Sequence, residues 1–344
     1  MRGAWIFALA LCVGGGAACL VSIDESRLSP KGDDDDDDAR DATSTPKKDS
    51  GGGPVLPDPD ASVDPTKTPD GGLSCPEPTS LCDDRCFDLA TSNAHCGACS
   101  APCTGGTTCT NKVCRAASCK QILAQGNATT GPATITFQGS ALDVFCDQTA
   151  REGGWTMVHR LSAGLTGDPF TFYTSIPLND TVAAELTPKK SGVHYTSRIL
   201  SQLNQQFAVT EAMLRVYDAA GNPVKEIVFD ATGATFTTFM TPARIKASSY
   251  SDLNGAVQFV DFGVGGDQNL QRRFLVHKKY EIPPGCPADT GWLMVHGTIP
   301  DAPCKTEYEA PLDRIRILYA PGTTAKKWSD GGYGEASSFV VFVR

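Results

Sequence analysis

The chain lacks the short motifs by which most enzymes are read. Its 344 residues hold no Gly-x-Ser-x-Gly, no His-Glu-x-x-His and no Gly-Lys-Ser/Thr phosphate loop, which removes the common signatures of serine hydrolases, zinc proteases and P-loop enzymes. Histidine is scarce, at five: His95, His159, His194, His277 and His296. His159, His277 and His296 alternate with apolar residues, so they are expected in strands, facing solvent or a polar partner. Carboxylate pairs such as Glu307 and Glu309 occur, but nothing marks them as an acid and a base around a pocket. No basic patch carries interleaved aromatics, so nucleic acid is not expected as a partner. Strong helical patterns are few, and beyond the N-terminus no apolar run is long enough to span a bilayer.

What is present begins with an address. Arg2 precedes an uncharged run from Ala4 to Val13, then Gly14-Gly15-Gly16-Ala17-Ala18-Cys19. A short positive region, an apolar region and small residues make a secretory signal, assigned to 1–18. The segment resembles a bacterial lipoprotein signal with Cys19 as the lipid-bearing residue, although Gly16 stands where Leu is usual. The resemblance implies an exported chain at the cell surface or outer membrane, touching the membrane only through its lipid; plain secretion is the alternative. Residues 19–74 then read as a disordered tether. Asp33 to Asp38 is an unbroken aspartate run, and Pro, Gly, Ser, Thr and Lys fill the rest, so too little apolar surface exists to offset chain entropy. Much of the net charge of −9 sits in this stretch and says little about partners.

Of 14 cysteines, Cys12 lies in the signal and Cys19 at its end. The others divide into two even sets, as full pairing in an exported chain requires: Cys75, Cys82, Cys86, Cys96, Cys99, Cys103, Cys109 and Cys114, then Cys119, Cys146, Cys286 and Cys304. Residues 75–114 have almost no apolar side chains and must be held by bridges. Cys96-Gly97-Ala98-Cys99 has redox-pair spacing, and His95 with Cys96, Cys99 and Cys103 has a zinc-like composition, but an oxidising destination and an even count favour disulfides. The run from Cys86 through Asp88-Leu89, Asn93-Ala94-His95-Cys96-Gly97-Ala98-Cys99, Cys103, Cys109 and Cys114 resembles the Cys-rich module of stigma-specific proteins. That resemblance implies architecture more than function.

Ser118 to Arg160 is the most informative stretch. Thr134 to Phe137 and Leu142 to Cys146 alternate apolar and polar residues and read as a hairpin, flanked by Cys119 and Cys146, which are expected to pair. Gly153-Gly154 allows a tight turn or a close approach, and Trp155 reads as core. The order Cys119, Ile122-Leu123, Cys146-Asp147, Gly153-Gly154-Trp155-Thr156 resembles the opening of a fibrinogen-related domain, as in ficolins, tachylectins and, more distantly, intelectins. The resemblance implies an α+β recognition domain over 119–344, with a strand-rich core and no catalysis, that takes glycans or acetyl groups.

The rest of 119–344 fits a strand-rich domain. Ile199, Leu200, Leu203 and Phe207 recur at helical spacing behind Thr196 or Ser197. Ala212 to Tyr217 and Val224 to Phe229 flank a turn; Val257 to Phe262, Arg273 to His277, Leu293 to His296, Arg314 to Tyr319 and Phe339 to Val343 are further strand-like runs. Cys286 and Cys304 are expected to pair. No Asp-x-Asp calcium loop of the animal fibrinogen type occurs here; Asp261 and Asp267, across a Gly-rich turn, are the candidate calcium ligands, with a plain polar turn as the alternative. Trp328-Ser329-Asp330-Gly331-Gly332-Tyr333-Gly334-Glu335 loosely resembles a run near the intelectin end. Trp328, Asp330, Tyr333 and Glu335 combine aromatic faces and carboxylates and are the candidate ligand residues; packing of Trp328 and Tyr333 against the last strand is the alternative. The leading functional reading is glycan or acetyl-group binding. An adhesion scaffold contacting protein comes second and a hydrolase on the same scaffold third; the sequence is silent on oligomeric state.

Overall fold

The computed structural model describes residues 58–205, 207–253, 262–266, 271–279, 288–298, 308–310 and 313–344. Cys19, Asp261, Asp267, Cys286 and Cys304 lie outside these residues, as does the aspartate run. Among the described residues no helix is long and apolar enough to cross a membrane.

The small N-terminal part is a chain of cross-links. Cys75 pairs with Cys86, Cys82 with Cys99, Cys96 with Cys109 and Cys103 with Cys114. No thiol is left at 96, 99 or 103 for redox or zinc chemistry. The sulfurs of Cys96, Cys103 and Cys114 lie close together because two disulfides are neighbours. Secondary structure is minimal, with Ser80–Cys82 paired to Arg85–Phe87 and Thr108–Thr110 to Val113–Arg115. The expected tether ends earlier than residue 74. Val63 exchanges backbone hydrogen bonds with Cys86, and Asp60 accepts from Ser92 Oγ and the Ala94 amide. Thr66–Lys67 also pairs with Leu73–Ser74. The polar composition of 58–74 conceals this order because backbone and carboxylate hydrogen bonds, not apolar burial, hold it.

The large domain is α+β, with two antiparallel sheets and few helices. The eight-stranded sheet runs Ile245–Ser248, Pro223–Asp230, Glu211–Tyr217, Ser338–Val343, Trp155–Ser162, Ser140–Asp147, Gly131–Phe137, with Tyr195–Thr196 added beside Trp155–Ser162. The six-stranded sheet runs Phe262–Gly263, Arg272–Lys279, Thr290–His296, Arg316–Tyr319, Gly334–Glu335, with Lys326–Lys327 added beside Thr290–His296.

Strand Ser338–Val343 is buried throughout and alternates strictly between two cores. Phe339, Val341 and Val343 join the main core with Ala212, Leu214, Val216, Val158 and Leu161. Val340 and Phe342 join Trp155, Met157, Met213 and Tyr217 on the opposite face. Because the sheet is covered on both sides, its central strand is a continuous apolar run rather than an alternating one. Its register against Trp155–Ser162 slips between Val341 and Phe342, a bulge at Val158 that shifts the alternation, so that Val158 joins Leu161 in the main core while Met157 joins Trp155 on the opposite face.

The opening stretch folds into a compact knot. Ser118 caps the helix Cys119–Ala124 by accepting from the Gln121 amide, and Cys119 is bridged to Cys146. Gln148 joins the pieces, donating to the Cys119 carbonyl at 3.0 Å and accepting from the Gly154 amide at 2.8 Å. Gly153 and Gly154 have φ of +71° and +78°, and a Cβ on either would strike the Gln148 carbonyl oxygen at 2.5 Å or the Lys120 Cα at 2.9 Å. Trp155 is fully buried and donates its indole N–H to the Ala150 carbonyl.

The helix expected around Ile199 to Phe207 is only a 3-10 turn, Arg198–Gln202, capped by Ser197. Asn204 ends it with φ of +60°, and its amide donates to the carbonyls of Ala231 and Ala234. Tertiary hydrogen bonds override the helical spacing of the apolar residues.

Cys119 and Cys146 enclose a 27-residue separation. Replacing both by alanine should cost about 3 kcal/mol of stability, since the unfolded chain regains loop freedom. Urea titration of the oxidised wild type and the double variant checks this; an unchanged midpoint would show that the surrounding hydrogen bonds alone set the knot.

Candidate functional site

The six-stranded sheet carries an unusual density of buried charge. Arg272 and Glu309 are fully buried and ion-paired; Arg272 also reaches Asp289, to which the Tyr308 hydroxyl donates. Buried charges survive only when paired and hydrogen-bonded, so this cluster is bound tightly into the sheet. His296 lies 3.8 Å from Glu309, and burial followed by the charges of Arg272 and Arg316 pushes its pKa down to about 4. His277 accepts the Trp328 indole N–H at 3.1 Å, and burial with the charge of Arg272 lowers its pKa to about 3. His159 is also fully buried, bonded to Thr196 Oγ1 at 2.8 Å and well below its usual range through burial and the nearby His194 and Arg160. The three histidines expected in strands are there; His159 and His277 have a polar partner, one of the two expectations, and none of the three faces solvent. Period-two alternation separates the faces of a sheet without revealing that both are covered.

The run from Trp328 to Glu335 starts from the same interior. Trp328 is fully buried among Leu275, Met294, Tyr308 and Leu318, so it has no face open to a ligand. It does not lie on the terminal strand either; it anchors a 3-10 turn, Trp328–Asp330. Gly331 and Gly332 then turn the chain outward with φ of +63° and +67°. Asp330 is exposed, 3.5 Å from Lys327 Nζ. Tyr333 is half-buried, edge-on to Trp328, with the Arg316 guanidinium 5.8 Å from its ring centre. Glu335 is exposed and paired with Arg316, which also donates to the carbonyls of Tyr308 and Ala310. Of the expected ligand residues, Asp330, Tyr333 and Glu335 share an accessible loop, and Trp328 is its buried anchor.

Glu335 also borders a groove of about 410 Å³ where the two sheets meet, with Lys190, Arg314 and Arg316 on its walls and Ala163, Gly164, Ile315, Ile317, Ala336 and Ser337 around them. These cations escape motif reading. One signal was legible: Arg314-Ile315-Arg316-Ile317 alternates, placing both arginines on one strand face. Lys190 is remote in sequence and arrives only through the fold.

The site thus belongs to a strand-rich α+β domain preceded by a disulfide-stapled module. The structure overlaps the fibrinogen-like globe domain of human ANGPTL6 at 15% identity and a TM-score of 0.32, over 67% of this chain and 96% of that one. For the fibrinogen-like globe domain of human ANGPTL2 the figures are 16%, 0.31, 67% and 98%. For lamprey fibrin D-dimer, complexed with the peptide Gly-His-Arg-Pro-amide, they are 14%, 0.35, 66% and 73%. No protein-family model and no curated protein matches the chain.

The histidines set a pH dependence. His194 is buried against Phe172 and accepts the Ser162 amide at Nδ1; burial and then the charge of Arg160 lower its pKa to about 4. In the unfolded chain such groups protonate near 6.5, so the unfolded state binds more protons as pH falls. Stability should be full above pH 6.5 and decline from there to about 4, where His194 and His296 protonate in place. Melting temperature against pH checks the window. His194→Asn, which keeps an acceptor but cannot titrate, should flatten the slope; an unchanged slope would remove His194 from the account.

Proposed function

We propose that this chain is an exported surface recognition protein whose 119–344 domain binds a glycan or an acetylated surface group through the Trp328–Glu335 loop. The observation that carries the reading is the anchoring of that loop. A fully buried Trp328 fixes one end and Arg316 holds the other, while Asp330, Tyr333 and Glu335 reach the accessible side. Carboxylates accept hydrogen bonds from sugar hydroxyls, the face of an aromatic ring receives the apolar face of the sugar, and a loop fixed beforehand loses little entropy on binding. His296 and Glu309, a histidine and a carboxylate 3.8 Å apart, are instead sealed into the sheet beside Arg272. Calcium, if used, would be held by Asp261 and Asp267, whose carboxylates suit a hard cation.

The binding test is a titration of the full chain on immobilised glycans, with and without calcium. Asp330→Ala should weaken binding about tenfold or more, since losing a hydrogen bond to a charged group costs about 1.5–3 kcal/mol, and Tyr333→Ala about fivefold, since an aromatic ring contact is worth about 0.5–1.5 kcal/mol. Melting curves confirm that each variant is folded. Undiminished binding in both would discard the loop as the site. Binding to no glycan at all would favour the protein-contacting scaffold instead.

Location rests on Ala17-Ala18-Cys19 behind a short apolar run. Export should remove residues 1–18 and leave Cys19 acylated, holding the chain at the cell surface by lipid alone. Fractionation of cells expressing Cys19→Ser should then find the protein soluble. Membrane-bound Cys19→Ser, or wild type free in the medium, would replace the lipoprotein with a plain secreted protein.

A further inference from the structure

The groove beside Glu335 has a charge balance opposite to that of the whole chain. The chain carries 39 acidic and 30 basic residues. The groove walls carry Lys190, Arg314 and Arg316 against the single carboxylate of Glu335. That carboxylate is already engaged by Arg316. Among the described residues Arg314 pairs with its neighbour Asp313 alone, both largely exposed, and such surface pairs are weak. Lys190 is exposed and has no anionic partner among the described residues.

The floor is rigid. Gly164 donates to the Ile315 carbonyl at 2.9 Å and Ile315 to that of Leu165 at 2.6 Å. Ala163 donates to Ser337 and Ala336 to Ile317, both at 2.9 Å. These bonds join the two sheets, so the groove exists before any ligand arrives. Gly164 has φ of +86°, a conformation that favours glycine, and the Lys190 ammonium lies over it, 3.1 Å from where a Cβ would stand. Ala163, partly exposed, adds a small apolar surface beside the charges.

We propose that this groove takes a carboxylate-bearing sugar, with the acid between Lys190 and Arg314 and the ring over Ala163. The proposal rests on the recognition reading above and narrows it to acidic glycans. A neutral sugar seated here would strip water from two cations and return no charge, whereas a carboxylate replaces that water with charge-assisted hydrogen bonds.

The test uses the full exported chain with a polygalacturonate oligosaccharide and its methyl ester, which differ only in the acid. The acid should bind at least about tenfold tighter than the ester and lose that advantage as salt rises. The double variant Lys190→Gln/Arg314→Gln, both at exposed positions, should bring the acid down to the level of the ester, with an unchanged melting curve. Equal affinity for acid and ester in the wild type, or a preference that survives in the double variant, would overturn the groove assignment and leave the recognition reading standing. If neither these sugars nor any neutral glycan binds, both fall together.

Discussion

The pairing of strand Ser338–Val343 on both of its edges is the constraint on which the rest of the molecule depends. It hydrogen-bonds to Glu211–Tyr217 on one side and Trp155–Ser162 on the other. The segment leading into it, Ala336-Ser337, bonds to Ile317, Ala163 and Tyr217 and so ties the smaller sheet to the larger. Until this strand is in place, the large sheet is two unconnected pieces and the groove beside Glu335 has no floor. Such non-local pairing incurs loop-closure entropy before its contacts form, which makes slow folding the physical expectation.

Buried charge plays a second, distinct role. Arg160 on the large sheet binds the Glu185 carboxylate and the carbonyls of Glu185, Thr187 and Val193, so one guanidinium organises an otherwise irregular segment. Arg215 does the same between Asp147 and Glu226, and Arg272 between Glu309 and Asp289. Each ion pair incurs a desolvation penalty, and each is repeatedly hydrogen-bonded in compensation. The histidines embedded near these arginines are held neutral by burial and positive charge, which suits structural acceptors. The same arginine framework reaches the surface at Arg316, where it fixes Glu335 and faces Tyr333. Core and candidate site are therefore one network, and the loop inherits its rigidity from the interior.

Much of this was legible before the structure. The hairpins Gly131–Phe137 with Ser140–Asp147 and Glu211–Tyr217 with Pro223–Asp230 follow from strand-like runs around turn residues, and the terminal strand from its short, unbroken apolar run. Gly153-Gly154-Trp155 was readable as a close approach followed by a core plug. Local chemistry specifies these features, and local chemistry is written in order along the chain.

The remainder depended on which distant residues meet. An even cysteine count implied bridges, but only the folded backbone decided that Cys96 joins Cys109 rather than Cys99. Ile199 to Phe207 carried a helical pattern, yet Asn204 bonding to Ala231 and Ala234 broke it. Trp328 looked like a ligand platform until Leu275, Met294 and Leu318 closed around it. Lys190 and Arg314 meant nothing singly and become a cationic groove only when the two sheets bring them together. By itself the sequence determined periodicity, turns and the parity of its cysteines, since these act between neighbours. Burial, pairing and the assembly of charge were decided by the tertiary structure, because each is a property of contacts between segments far apart in the chain.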